Sequence, residues 1–223
     1  MFYEHYKRAL DVILKKPIML WGLSLLLSVV TAIAGVVTMS IPFLSIAVGY
    51  LFACGAAKLY MDGLKGKEVN SKQLFYAFNK NAVKTAGALA WKDLWTVIWA
   101  AVPVVGIVKA YSYSFVPYIV VTRPEISAFD ALKISMKMTK GKKMQMFLAD
   151  LLFVVIPSVA GGILGALATI PVIGAVFGLV AFLLVLAIAL FGSVFAGLYK
   201  ASFFNEAEID QCIEAPEAEA VEA

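Results

Sequence analysis

With 223 residues, 62% of them hydrophobic and only 15% charged, and a mean hydropathy of +0.88, the chain is far more apolar than a soluble domain, which averages about 45 to 50% apolar and about 25% charged. A water-soluble core of this size cannot hide that much apolar surface, so a soluble globular fold is excluded and a membrane helix bundle is expected. The formal charge of +4 conceals a segregation: seven of the 15 acids lie in the last 18 residues, and Met1 to Asn205 carries 19 basic against eight acidic residues, a net of +11. Such charge on a membrane protein points to anionic lipid headgroups as partner and away from nucleic acid.

The chain opens with MFYEHYKRALDVILKK, in which Phe2, Tyr6, Leu10, Ile13 and Leu14 form one stripe and Glu4, Lys7, Arg8, Asp11 and Lys15 the opposite one. This predicts a short interfacial amphipathic helix and places His5 in a mobile arm. Pro17 suits the first turn of the next helix. The 22 uncharged residues of 18–39 are long enough to cross a hydrocarbon core of about 30 Å. Ala32-Ile33-Ala34 resembles a signal-peptidase site, but the long leading segment with two acids argues against a cleaved signal peptide. Ser40-Ile41-Pro42 turns the chain into a second span, 43–60, which must pack antiparallel on the first. Ala53, Gly55, Ala56 and Ala57 permit close contact.

A polar connection follows, with a helix start at Asn70-Ser71 and a one-sided stripe of Leu74, Phe75, Phe78 and Ala82 that reads as a second interfacial helix. It runs into a third span, 85–105, containing Trp91-Lys92-Asp93-Leu94-Trp95. Ionisable residues at membrane depth are costly and are functional candidates by default. The structural alternative has Lys92 snorkelling to the interface while the tryptophans form an aromatic belt.

The fourth span, 107–121, holds Lys109, expected near the opposite face, and the polar or helix-breaking residues Tyr113, Pro117 and Tyr118. After the turn at Arg123-Pro124-Glu125, Ser127 and Asp130 fit an N-terminal helix cap. Asp130, Lys133, Lys137 and Lys140 then recur at three- and four-residue steps, with Phe129, Leu132 and Met136 on a second face, and Gly141 supplies a left-handed stop. The cationic face, extended by Lys142 and Lys143, is expected to be solvated or to meet lipid headgroups, with a dedicated anionic-ligand or partner site as the alternative.

The stretches Gly106-Ile107-Val108-Lys109, Tyr113 to Tyr118 and Arg123 to Ala128, with Ala131, Leu132, Ser135, Met138, Gly141, Lys143 and Phe147, resemble the signature of the bacterial membrane family called domain of unknown function 975. The resemblance spans about residues 60–204. It departs at Val105, where the family pattern has Pro, and at Arg123, where it more often has Asn. It implies a bacterial multi-pass membrane fold and carries no activity.

The fifth span, 145–169, contains Asp150, for which Lys92 is the expected bundle partner, and Pro157, which should kink it. Gly161 and Gly165 there, and Gly174 and Gly178 in the sixth span, 172–199, read as packing faces. Residues 205–223 read as an acidic, disordered cytoplasmic tail. Of 19 cations, 17 fall in the N-terminal arm, the second and fourth connections or at Lys200. The positive-inside rule then gives six helices as three hairpins, with both termini in the cytoplasm, and the resemblance implies that the membrane is the cytoplasmic membrane of a bacterium.

His5 is the only histidine and the cysteines are Cys54 and Cys212, so triad catalysis, a His-based metal site and a disulfide framework have nothing to use. Phosphate-loop and dinucleotide motifs are missing, and no cofactor is expected. Two expectations remain. One is a non-enzymatic bundle organising lipid or partner proteins, with a protein partner or a second copy of the chain in view. The other is a transporter or export and self-protection component with Lys92, Asp93, Lys109, Tyr113 and Asp150 along a path.

Overall fold

The computed structural model describes residues 2–15, 17–38, 41–79, 82–170 and 174–221, and among them there is no strand. The helices are α1 (Phe2–Lys15), α2 (Pro17–Thr38), α3 (Pro42–Leu64), α4 (Tyr76–Asn79), α5 (Ala82–Ala100), α6 (Pro103–Ser112), α7 (Val116–Thr122), α8 (Ala128–Met138), α9 (Lys143–Ala168) and α10 (Gly174–Val221). Ser40, Lys16, Lys80 and the first residues of the expected sixth span lie outside the described residues.

Local chemistry explains many boundaries. Prolines open α3, α6 and α7, where a missing N–H costs nothing. Asn70 caps a 3-10 turn through a reciprocal bond with Gln73, and Ser127 caps α8 by accepting from the Asp130 N–H. Gly141 takes φ +80°, as expected of the residue that turns the chain out of α8.

Four helical segments are long and apolar enough to cross a membrane: Ile18–Thr38, Phe43–Leu64, Pro103–Thr122 and Lys143–Ala168. The bent α10, with a 42° break between Ile188 and Phe191, makes five. The expected third span is absent from this set because every 18-residue stretch of α5 contains Lys84, Lys92 and Asp93. These helices leave large apolar side chains uncovered: Val36, Val154, Ile163, Val176 and Phe182 are all more than half exposed. Apolar side chains exposed in such number are stable against lipid tails and not against water.

The core lies at one end of the bundle. Tyr199, Phe115, Phe203, Phe204, Leu59 and Ile119 are essentially inaccessible there, with Tyr118 stacked on Phe204 at 5.1 Å between centroids. α2 and α3 pack antiparallel, Leu20 meeting Gly63 and the Ser24 hydroxyl lying 2.8 Å from that of Tyr60. α9 and α10 pair likewise, with Phe153 stacked on Phe195. Gly55 and Gly197 are required by close approach: a Cβ would overlap the Leu74 carbonyl at the first and the Tyr60 ring at the second. Gly161 and Gly165, expected as packing faces, meet open space within this chain, whereas Gly174 packs against the Ala168 backbone.

Two amphipathic helices are rotated relative to the sequence stripes. In α1 the buried face is His5 and Ala9, while Leu10 and Leu14 of the expected stripe are half or more exposed. His5 is therefore not in a mobile arm; it is fully buried and stacked on Phe203 at 3.6 Å. In α8 the buried face is Ala131, Leu132, Ser135 and Met138, and Phe129 turns outward beneath the Lys133 ammonium, 4.3 Å from its ring centre. Where disorder was expected from Asn205, α10 continues, and its first three acids are engaged with cations of other segments.

Candidate functional site

Three groups of polar side chains stand out. The first surrounds Asp150, on the face of α9 that meets α10. Its carboxylate accepts from the Tyr111 hydroxyl at 3.0 Å and from the Tyr199 hydroxyl, and pairs with the Lys200 Nζ at 3.3 Å. α6, α9 and α10 are thereby tied at one point. The expected partner Lys92 is not there; it pairs with its chain neighbour Asp93 at 2.7 Å. Tyr111 and Tyr199 are not among the residues the sequence points to, and Lys200 is expected there only as a cation at the cytoplasmic end of the last span. Antiparallel pairing of the last two apolar helices places Lys200 opposite Asp150, and that is the signal by which it could have been found.

A cavity of about 450 Å³ opens beside this cluster, bounded by Ala110, Tyr111, Ser114, Phe147, Asp150 and Lys200. It shares Ile107, Tyr111 and Phe147 with a second hollow of about 340 Å³ that extends between α6 and α9 to Val104 and Lys143. The two form one groove, apolar for most of its length, with Lys143 at one end and Asp150 with Lys200 at the other. Lys109, expected across the membrane from Lys142 and Lys143, is close enough to Lys143 for the two ammonium groups to repel. Its Nζ is 3.8 Å from the Met136 sulfur of α8 and 5.0 Å from the centre of the Trp99 ring.

The second group closes a break in the backbone. Between α6 and α7 the chain leaves helical geometry, freeing the Ser112 carbonyl and the Phe115 N–H in an apolar segment, where unpaired backbone groups are expensive. The Ser135 hydroxyl of α8 donates to the Ser112 carbonyl at 2.7 Å and accepts from the Phe115 N–H at 3.3 Å, and Thr139 Oγ1 lies 3.5 Å from the same carbonyl. Ser135 and Thr139 are both fully buried. Tyr113, Pro117 and Tyr118 belong to this packing: Tyr113 and Tyr118 are buried in the core, and Pro117 lies in the first turn of α7.

The third group is an ionic clasp. Lys142 pairs with Glu206 at 2.9 Å and Asp210 at 2.7 Å, Arg8 also reaches Glu206, and Lys65 pairs with Glu208. Burial opposes the Lys142 charge, but the hydrogen bonds it donates to the two carboxylates outweigh burial and hold the ammonium above its usual range. His5 Nδ1 is 2.9 Å from the Ser202 hydroxyl. Its Nε2 is 3.5 Å from Glu206, without hydrogen-bond geometry. Burial, against the pull of Glu206 and helped by Arg8 and Lys142, pushes this imidazole down to about 4, so it is neutral at pH 7. Burial and then the Asp150 charge push the Tyr6 phenol up to about 12. Lys133, Lys137 and Lys140, by contrast, are exposed and have no carboxylate within reach among the described residues.

These features define an all-helical protein with four or five helices fit to cross a membrane, whose buried polar residues hold its own helices together. The model of a family described as a protein of unknown function, DUF975, matches residues 94–206, just over half of the chain, and the protein belongs to that family. The match takes in the Asp150 cluster and the Ser135 and Thr139 plug whole, and of the ionic clasp only Lys142, Ser202 and Glu206. No curated protein and no solved structure matches the chain.

Proposed function

We propose that this protein is a non-enzymatic integral protein of the bacterial cytoplasmic membrane that organises anionic lipid, or a partner brought to it, on the cytoplasmic face. The observation that carries this reading is the contrast within one basic segment: Lys142 is saturated by Glu206 and Asp210, whereas Lys133, Lys137 and Lys140 are exposed and form no ion pair among the described residues. Cations left open beside a lipid-facing bundle each attract an anionic surface by about 1 kcal/mol. The buried chemistry supports the same reading over transport. The freed backbone at the α6–α7 break is plugged by Ser135 and Thr139, and the Asp150 carboxylate is occupied by three donors, so neither offers vacant coordination to a passing solute.

In this proposal both ends of the chain are cytoplasmic. Lys84 near the start of α5 donates to the Pro124 and Glu125 carbonyls beyond α7, which brings the two ends of that segment together on one face. The α5–α6 turn lies beside Lys143, with Val104 and Lys143 lining one hollow, so six crossings hold only if a cysteine at Val102 is labelled from outside alone. Labelling of Val102→Cys from the cytoplasm reduces the count to four. The functional test is lipid composition after purification in native-membrane particles. The triple variant Lys133→Gln, Lys137→Gln, Lys140→Gln should lose enrichment of anionic lipid that wild type shows, and unchanged enrichment would reject the proposal.

A further inference from the structure

We propose that the groove between α6 and α9 is a binding site for one anionic phospholipid, whose phosphate sits on Lys143 and one of whose acyl chains lies along Val104, Ile107, Val108, Met144 and Phe147. The inference deepens the lipid-organising reading and rests on the chain being surrounded by bilayer, but it concerns a different surface from the exposed face of α8.

Charge comes first. Lys142 and Lys143 are adjacent in sequence, yet only Lys142 has acids: two carboxylates within 2.9 Å. Lys143 is half-buried, has no carboxylate within reach among the described residues, and is repelled by Lys109. A half-buried cation beside a second cation is unfavourable unless an anion completes the site. Lys109 likewise forms no ion pair among the described residues; it is held on the faces of Trp99 and Tyr113, which fix its charge without neutralising it.

Shape decides which anion. The wall leading away from Lys143 is apolar, and the helices flanking it turn Val104, Met144, Leu148 and Leu151 outward, so the groove opens sideways into the layer that holds lipid tails. A free phosphate would satisfy Lys143 and leave the groove empty, whereas a phospholipid fills both parts. The groove runs from Lys143 to Asp150, seven residues or about 10 Å of helix, and is closed there by the Asp150, Tyr111 and Lys200 contacts.

The test uses the full chain in detergent micelles, with binding read by native mass spectrometry and by melting temperature. The probes are dioctanoyl phosphatidylglycerol, dioctanoyl phosphatidylcholine and inorganic phosphate. Wild type should retain phosphatidylglycerol in preference to phosphatidylcholine and gain nothing from phosphate. Lys143→Gln should weaken retention about tenfold. Val104→Trp, at an exposed position, should block the groove with melting in lipid-free detergent unchanged. The triple variant of α8 should keep the bound lipid. Equal retention of the two lipids, stabilisation by phosphate alone, or wild-type retention by both Lys143→Gln and Val104→Trp would overturn the site. Loss in the α8 triple alone would move the binding to α8 and overturn the groove, and loss of general anionic enrichment in that triple with the groove lipid retained separates the two proposals.

Discussion

Ser135→Ala removes the one hydroxyl that serves both freed backbone groups at the α6–α7 break. The Phe115 N–H, which donates to Ser135 Oγ, is then left without a partner in a fully buried position, a cost of about 1 to 3 kcal/mol. The Ser112 carbonyl keeps only the longer 3.5 Å approach of Thr139, which adds about 1 kcal/mol. A total of about 2 to 4 kcal/mol lowers the melting temperature of a chain this size by about 4 to 16 °C, at about 2 to 4 °C per kcal/mol. Intrinsic fluorescence on heating in detergent reports it directly, since Trp91, Trp95 and Trp99 lie in the neighbouring α5. The matched control is Ser158→Ala, whose hydroxyl only bonds back to the Val154 carbonyl on an exposed face of α9. If Ser135→Ala melts within about 1 °C of the control, the break is stabilised by something other than this hydroxyl.

Gly197→Ala should destabilise by about 1 to 3 kcal/mol, because the new methyl meets a Tyr60 ring pinned through its hydroxyl to Ser24; Gly161→Ala, which meets nothing, should melt like wild type. A double-mutant cycle on Asp150→Asn and Lys200→Met should give a coupling of about 1 kcal/mol, and the same cycle on Asp150 and Lys92 close to zero; coupling to Lys92 would contradict the observed pairing. His5 is held neutral in the fold, with its value down at about 4 against an ordinary 6.5, so the unfolded chain binds the extra proton between those limits. That contribution to stability is fully present above pH 6.5 and is lost as pH falls from 6.5 toward 4. His5→Phe, which keeps the stacking on Phe203, should flatten the loss between pH 6.5 and 5, and an unchanged melting profile would show that His5 does not titrate with unfolding.

What the sequence determined by itself is set by short-range or additive physics. Hydropathy summed over a helix length depends on no partner, so the apolar segments from Ile18 to Thr38 and from Lys143 to Ala168 could be read directly. The Ser127 cap, the Asn70 start and the Gly141 turn depend on neighbours within four residues, and they too are legible. The family likewise follows from a local pattern of residues.

The tertiary structure decided everything that depends on which helix meets which. A stripe in α1 or α8 borders core on one side and lipid on the other, and periodicity cannot distinguish two apolar surroundings, so His5 and Ser135 turned inward while Leu10 and Phe129 turned out. Charge was equally ambiguous along the chain. Adjacent lysines look alike in sequence, yet α10 returns to give Lys142 two acids and leaves Lys143 facing an apolar groove. Asp150 took Lys200 instead of Lys92 because the α9–α10 pairing, and not distance in sequence, sets which charges come within a few ångströms.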